Sequence, residues 1–126
     1  MLSVTKIFMF EASHQLPYYD GDCHNLHGHS YKLEVTVRGN IKSDTSNPKC
    51  GMIVDFKELK EVVNEVVIKK YDHSFLNNYF ENPTAEIMVK DIAEDIINAL
   101  LDKDVYLSVE SCRLWETTTS YAEYRP

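Results

Sequence analysis

From Asp22 to Tyr31 the chain reads Asp-Cys-His-Asn-Leu-His-Gly-His-Ser-Tyr, which concentrates a thiol, three imidazoles and a glycine in one short stretch. Side chains two apart in an extended segment project from the same face, so His27 and His29 can aim both rings at one metal ion. Gly28 between them removes a side chain where the backbone is expected to bend. Cys23, upstream of His27 in what reads as a loop, is free to be either a fourth ligand or a nearby base. A third imidazole comes from the preceding segment. Phe8, Phe10, Ala12 and His14 share one parity, as do His27, His29, Tyr31, Leu33, Val35 and Val37. If both runs are strands, each has an apolar face that ends in histidine, and three imidazoles meet at the rim of a core. Zinc bound by three neutral imidazoles with an open fourth position is the usual catalytic form, whereas structural sites close the shell, typically with thiolates. The competing reading, ordinary polar residues in a turn, is weakened by the third histidine at matching parity.

The elements that must position these groups follow from periodicity. Residues 3 to 14 read as a strand, and apolar residues on both of its faces, Phe8 and Phe10 against Ile7 and Met9, suggest burial on both sides. Residues 15 to 28 carry Pro17, Gly21 and three aspartate or asparagine residues and read as a loop. Tyr31 to Gly39 alternates as a half-buried strand. After a polar connection over 40 to 51, Asp55 is a plausible N-cap for an amphipathic helix with Leu59, Val62, Val63, Val66 and Val67 on its apolar stripe. Residues 71 to 82 form a second loop. Asn82 followed by Pro83 signals a helix start, Asn as cap and Pro at the first position, for a helix running to about Leu101. Val105, Leu107 and Val109 alternate with Tyr106, Ser108 and Glu110 as a third strand continuing towards Trp115, and Ser120 to Tyr124 forms a short fourth strand. The order β-β-α-α-β-β predicts an α+β fold, an antiparallel four-stranded sheet with two helices on one face.

A chain of 126 residues fits one domain, 1–126, and a net charge of −7 argues against nucleic acid, which is bound through clustered Lys and Arg. A small phosphorylated substrate needs only a few local cations and stays possible. Cys23, Cys50 and Cys112 do not form the paired pattern of a disulfide-rich secreted domain, so a reducing cytoplasm is expected. No signal-peptide apolar run opens the chain and no run is long enough to cross a bilayer, so no membrane association is expected.

Five motifs run in order along nearly the whole chain: Phe10-Glu11-Ala12-Ser13-His14, Cys23-x-x-x-His27-Gly28-His29, Asp72-His73, Asn82-Pro83-Thr84-Ala85-Glu86 and Trp115-Glu116-Thr117. Together they resemble the 6-pyruvoyl-tetrahydropterin synthase family, on the branch of the bacterial 6-carboxy-tetrahydropterin synthases of queuosine biosynthesis. The resemblance implies the tunnelling fold, in which subunits join their sheets into a barrel, commonly as a homohexamer of two trimers. It implies 7,8-dihydroneopterin triphosphate as substrate, with 6-carboxy-tetrahydropterin, triphosphate and acetaldehyde as products. It also implies zinc on His14, His27 and His29, Cys23 as the catalytic thiol, Asp72 and His73 as its partner dyad, and Glu116 as the pterin anchor. Thr84 and Glu86 fall in a family motif at the pocket, although Asn82 and Thr84 read equally well as helix caps. Cys50 and Cys112 have no expected role beyond packing, and His24 matches no family position. The triphosphate-binding cations are not singled out among Lys6, Lys32, Arg38 and Arg113.

Overall fold

Two long strands, β1 (Ser3–His14) and β2 (His27–Arg38), pair antiparallel over their whole length. The computed structural model describes residues 1–103 and 107–126, and of Cys23 the backbone alone. Phe8 faces Leu33, Phe10 faces Tyr31, Ala12 faces His29 and His14 faces His27, so one parity of each strand builds a common inner face. Phe10 and Tyr31 stack with ring centroids 5.0 Å apart in the middle of that face. β4 (Ser108–Thr117) pairs antiparallel with β2, and β5 (Ser120–Tyr124) with β4. Val105 and Tyr106, expected at the start of the third strand, lie outside the described residues.

The sheet departs from expectation at its far edge. A two-residue strand, β3 (Ser74–Phe75), runs parallel to β1 beside Ala12 and Ser13, giving a five-stranded mixed sheet in the order β3-β1-β2-β4-β5. Within an otherwise irregular segment, alternation over two residues is too short to register as a strand. β2 also starts at His27, four positions before its clean alternation, and Gly28 lies inside it opposite Ser13. No bend there demands glycine: a methyl group at Gly28 would meet only the Ala12 carbonyl, at an ordinary 3.5 Å.

A helical run packs on the inner face. α1 (Phe56–Val63), capped by the Asp55 carboxylate on the Lys57 amide at 2.9 Å, passes through a π-helical turn (Asn64–Ile68) into α2 (Lys69–Tyr71). An uninterrupted α-helix would bring Lys70 onto the face of Leu59 after about three turns. The wider turn delays the helix by one residue, so Tyr71 is buried there and Lys70 stays outside, its ammonium 5.1 Å from the Tyr71 ring centre. α3 (Ala85–Leu101) buries Met88, Ile92, Ile96 and Leu100 against β4 and β5. Its cap is Thr84, whose hydroxyl accepts from the Ile87 amide, rather than Asn82, so Pro83 precedes the cap instead of opening the helix.

β4 carries a bulge. Thr36 pairs with Ser111 but Val37 with Val109, which leaves Glu110 as an extra residue. Before the bulge the odd positions Leu107 and Val109 follow the inner parity; after it the even positions Cys112, Leu114 and Glu116 do. Continuous alternation from Val105 would have sent Glu116 to the opposite side.

No helix among the described residues covers the outer face. Ile7 and Met9 are 55% and 58% exposed, contrary to the two-sided burial read from their hydrophobicity. Lys32, Arg113 and Glu34 lie on this face, with Arg113 bonded to Glu123 at 3.0 Å and Lys32 over the Trp115 ring. Arg38 shares their parity, and Lys6 sits at the end of β1 remote from His14, so these cations are not gathered at the histidines.

Candidate metal centre and adjoining groove

At the end of the β1–β2 hairpin where the connecting loop leaves and returns, the inner face ends in imidazoles. His14 and His27 are cross-strand partners, and Ala12, opposite His29, is small enough for that ring to lean towards them. The three ring centroids are 4.6, 4.8 and 5.0 Å apart, and one nitrogen from each ring lies within 4.8 Å of the other two. His14 Nδ1–H donates to the Pro83 carbonyl at 2.9 Å and His27 Nδ1–H to the Asn25 carbonyl at 2.6 Å. Carbonyls only accept, so each Nδ1 holds the proton and each Nε2 turns a lone pair inward. The two Nε2 atoms stand 3.0 Å apart. Two lone pairs at that distance repel unless a cation lies between them, and a tetrahedral ion bound at about 2.0–2.1 Å spaces its nitrogens by roughly 3.3 Å. His29 Nε2 is buried without a hydrogen-bond partner and has the Glu116 carboxylate 3.6 Å away. The three imidazoles are thus positioned to bind a metal ion.

Electrostatics favour the ligand form. Burial pushes the pKa of His14 down against the opposing pulls of the Pro83 carbonyl and Glu116, and burial likewise lowers His29 against Glu116. Neutral imidazoles, the metal-binding species, result. Tyr31, fully buried beneath the cluster, has its hydroxyl 3.3 Å from His14 Nδ1, and burial keeps its phenol protonated.

The other expected residues divide into two groups. Asp72 and His73 follow α2 and are locked to β1: the Glu11 amide donates to Asp72 at 2.9 Å and the His73 amide to the Glu11 carbonyl at 2.6 Å. His73 adopts a left-handed backbone with φ of 60°, uncommon outside glycine, and its Nδ1 lies 3.1 Å from the Asp72 carboxylate. The Glu11 amide, with a smaller contribution from His73, holds the Asp72 pKa below the usual range. His73 and His29 both border a shallow groove of about 570 Å³, with Glu11, Ser13, Ser30 and Ser74. Among the described residues, no Lys or Arg borders it. By contrast, Thr84 serves as the α3 cap and Glu86 is exposed in the first turn of that helix; neither borders the groove. The Cys23 backbone lies in a short 3₁₀ turn (Asp22–His24), and its side chain is outside the description. His24 donates to the Leu16 carbonyl at 3.3 Å. Cys112 is fully buried with its thiol pushed up to about 12, as a packing residue should be, and Cys50 is exposed. The Pro83 and Asn25 carbonyls escaped the sequence reading because a backbone oxygen carries no side-chain signature.

Comparison with known proteins agrees with this geometry. The model of the 6-pyruvoyl tetrahydropterin synthase family matches residues 3–126. The chain is 37% identical to the 6-carboxy-5,6,7,8-tetrahydropterin synthase of Haemophilus influenzae, covering 99% of each protein. It is 40% identical to the dihydroneopterin monophosphate aldolase of Pyrococcus furiosus, over 85% of this chain and 82% of that one. Among solved structures, the 6-pyruvoyl tetrahydropterin synthase of Caenorhabditis elegans superposes with a TM-score of 0.81 over 99% of this chain and 95% of that chain, at 22% identity, a likeness of fold.

Proposed function

Since the chain belongs to the 6-pyruvoyl tetrahydropterin synthase family, we propose that it converts 7,8-dihydroneopterin triphosphate to 6-carboxy-5,6,7,8-tetrahydropterin, releasing triphosphate and acetaldehyde, in queuosine biosynthesis. The observation that carries this reading is the converging trio of His14, His27 and His29 in a chain matched end to end by a carboxy-tetrahydropterin synthase. The trio would hold zinc, which when bound polarises the side-chain oxygens of the substrate as a Lewis acid. Cys23 is assigned as the base that takes a proton from a side-chain carbon. Asp72 holds His73 by its Nδ1, which suits His73 to exchange a proton through its other ring nitrogen. Glu116, brought inward by the bulge, is assigned to accept paired hydrogen bonds from the amino and ring N–H groups of the pterin. Thr84 and Glu86 are retained as contacts to substrate through the family motif. The domain spans 1–126 and works as a homohexamer in the cytoplasm, with neighbouring copies completing the pocket and supplying the cations that the groove lacks.

The test is mass spectrometry of the products formed by the zinc-loaded protein from 7,8-dihydroneopterin triphosphate. A 6-carboxy product with stoichiometric acetaldehyde is expected. A 6-pyruvoyl product would move the chain to the biopterin branch, and a 6-hydroxymethyl product to aldol cleavage, the activity named for the Pyrococcus relative. Metal retention with no turnover would leave a binding module.

A further inference from the structure

The loop over residues 15–26 leaves β1 immediately after His14 and enters β2 at His27, so any slack in it is felt between two imidazoles of the cluster. Its first residue is held from outside the hairpin. The Gln15 amide donates to Asn77 Oδ1 at 2.9 Å, and Asn77 Nδ2 donates back to the Gln15 carbonyl at 2.8 Å. Asn77 lies in the 3₁₀ turn (Leu76–Asn78) that follows β3. β3 pairs with β1 only as far as Phe75 beside Ser13, after which its backbone turns away. The Asn77 carboxamide, with an acceptor and a donor spaced as in a peptide group, therefore replaces the missing backbone as one more rung on the edge of β1. Two further ties follow along the loop: Tyr18 OH donates to Glu81 at 2.5 Å, and His24 to the Leu16 carbonyl.

We propose that Asn77 is a positioning residue for the reaction: its carboxamide rung pins the start of the 15–26 loop, and with it the turn bearing Cys23, to the segment that carries His73. The proposal rests on the catalytic assignment of Cys23 made above. A carboxamide is required, since aspartate keeps the acceptor for the Gln15 amide but sets a carboxylate against the Gln15 carbonyl, and alanine removes both bonds.

The test compares wild type, Asn77→Ala and Asn77→Asp as zinc-loaded protein. Hydrogen exchange over residues 15–26 and the alkylation rate of Cys23 by iodoacetamide, read by peptide mass spectrometry to separate it from Cys50, are measured together with turnover. In Asn77→Ala, exchange in the loop and Cys23 alkylation should rise about thirtyfold, the combined worth of two ordinary hydrogen bonds. The rate kcat should fall while KM stays within about twofold, the split expected when a reacting group is misplaced but substrate contacts remain. Asn77→Asp should show the same pattern to a smaller degree, and it decides the matter if the alanine variant does not fold. Unchanged loop exchange and alkylation in the folded variants would overturn the proposal. If wild type makes no 6-carboxy product, the functional reading fails, and the exchange and alkylation comparison still decides whether Asn77 holds the loop.

Discussion

Glu116 is the residue on which the competing uses of this site can be separated. Its carboxylate lies 3.6 Å from Nε2 of His29, one of the three clustered imidazoles, so it could serve either the pterin or the ion. On the anchor assignment, Glu116→Gln keeps its shape but presents a donor to the donors of the pterin. Pterin affinity should fall by about 2 kcal/mol or more with metal content unchanged. Titration of a pterin analogue alongside elemental analysis reads both quantities; loss of metal would make Glu116 a ligand instead. The histidines make a prediction about acid. His14 and His29 have pKa values lowered by burial, so as pH falls the unfolded chain takes up protons before the folded one. The stability they contribute is complete above an unfolded value of about 6.5 and is lost as pH falls through the folded values. Thermal melts of metal-stripped protein should therefore show Tm declining on the acid side of about pH 6.5, with a shallower decline in His29→Asn.

At the scale of elements, legibility followed periodicity. Strand parity put His14, His27 and His29 on one face because each lies in phase with the apolar residues beside it, and β1, β5 and the Asp55 cap stand where the sequence placed them. Parity failed where the chain holds one residue more than a regular element needs. The π turn moves Tyr71 into the place that α-helical phase allots to Lys70, and the bulge at Glu110 reverses the faces of β4. Neither device has a composition that marks it, since Glu65 and Glu110 look like any exposed charge. β3 escaped because two residues cannot show an alternation. The bulge yields a test. Pairing with β2 is regular on both sides of Glu110, so deleting that residue joins Val109 to Ser111 with every other β2 partner kept. The deletion variant should fold, with its metal content and pterin affinity close to wild type. Deleting Arg113, downstream of the bulge, should abolish pterin binding by carrying Trp115 and Glu116 out of phase with β2. Circular dichroism with the same titration distinguishes the two.

For the molecule as a whole, the uncovered sheet face sets the expectation. Ile7 and Met9 stand more than half exposed beside a ring of self-paired charges, the kind of surface that soluble chains cover by association. Sedimentation should find an assembly, and Met9→Lys should shift it towards smaller species without loss of metal. The same sheet has two unlike margins. On the side of β1 away from β2 the backbone is engaged by Asp72 and His73 at Glu11, by β3 at Ala12 and Ser13, and by Asn77 at Gln15; from Ser3 to Met9 no strand among the described residues lies on that side. β5 likewise has no strand on its far side among the described residues. A margin of one kind meeting a margin of the other uses one from each copy and leaves one of each over, so such a contact has no natural stopping point. It would grow as a thread unless the rotation from copy to copy returns the last to the first, and the right-handed twist of the sheet supplies such a rotation. Whether this chain makes rings or threads is then decided by the angle between neighbouring copies rather than by the strength of any single contact.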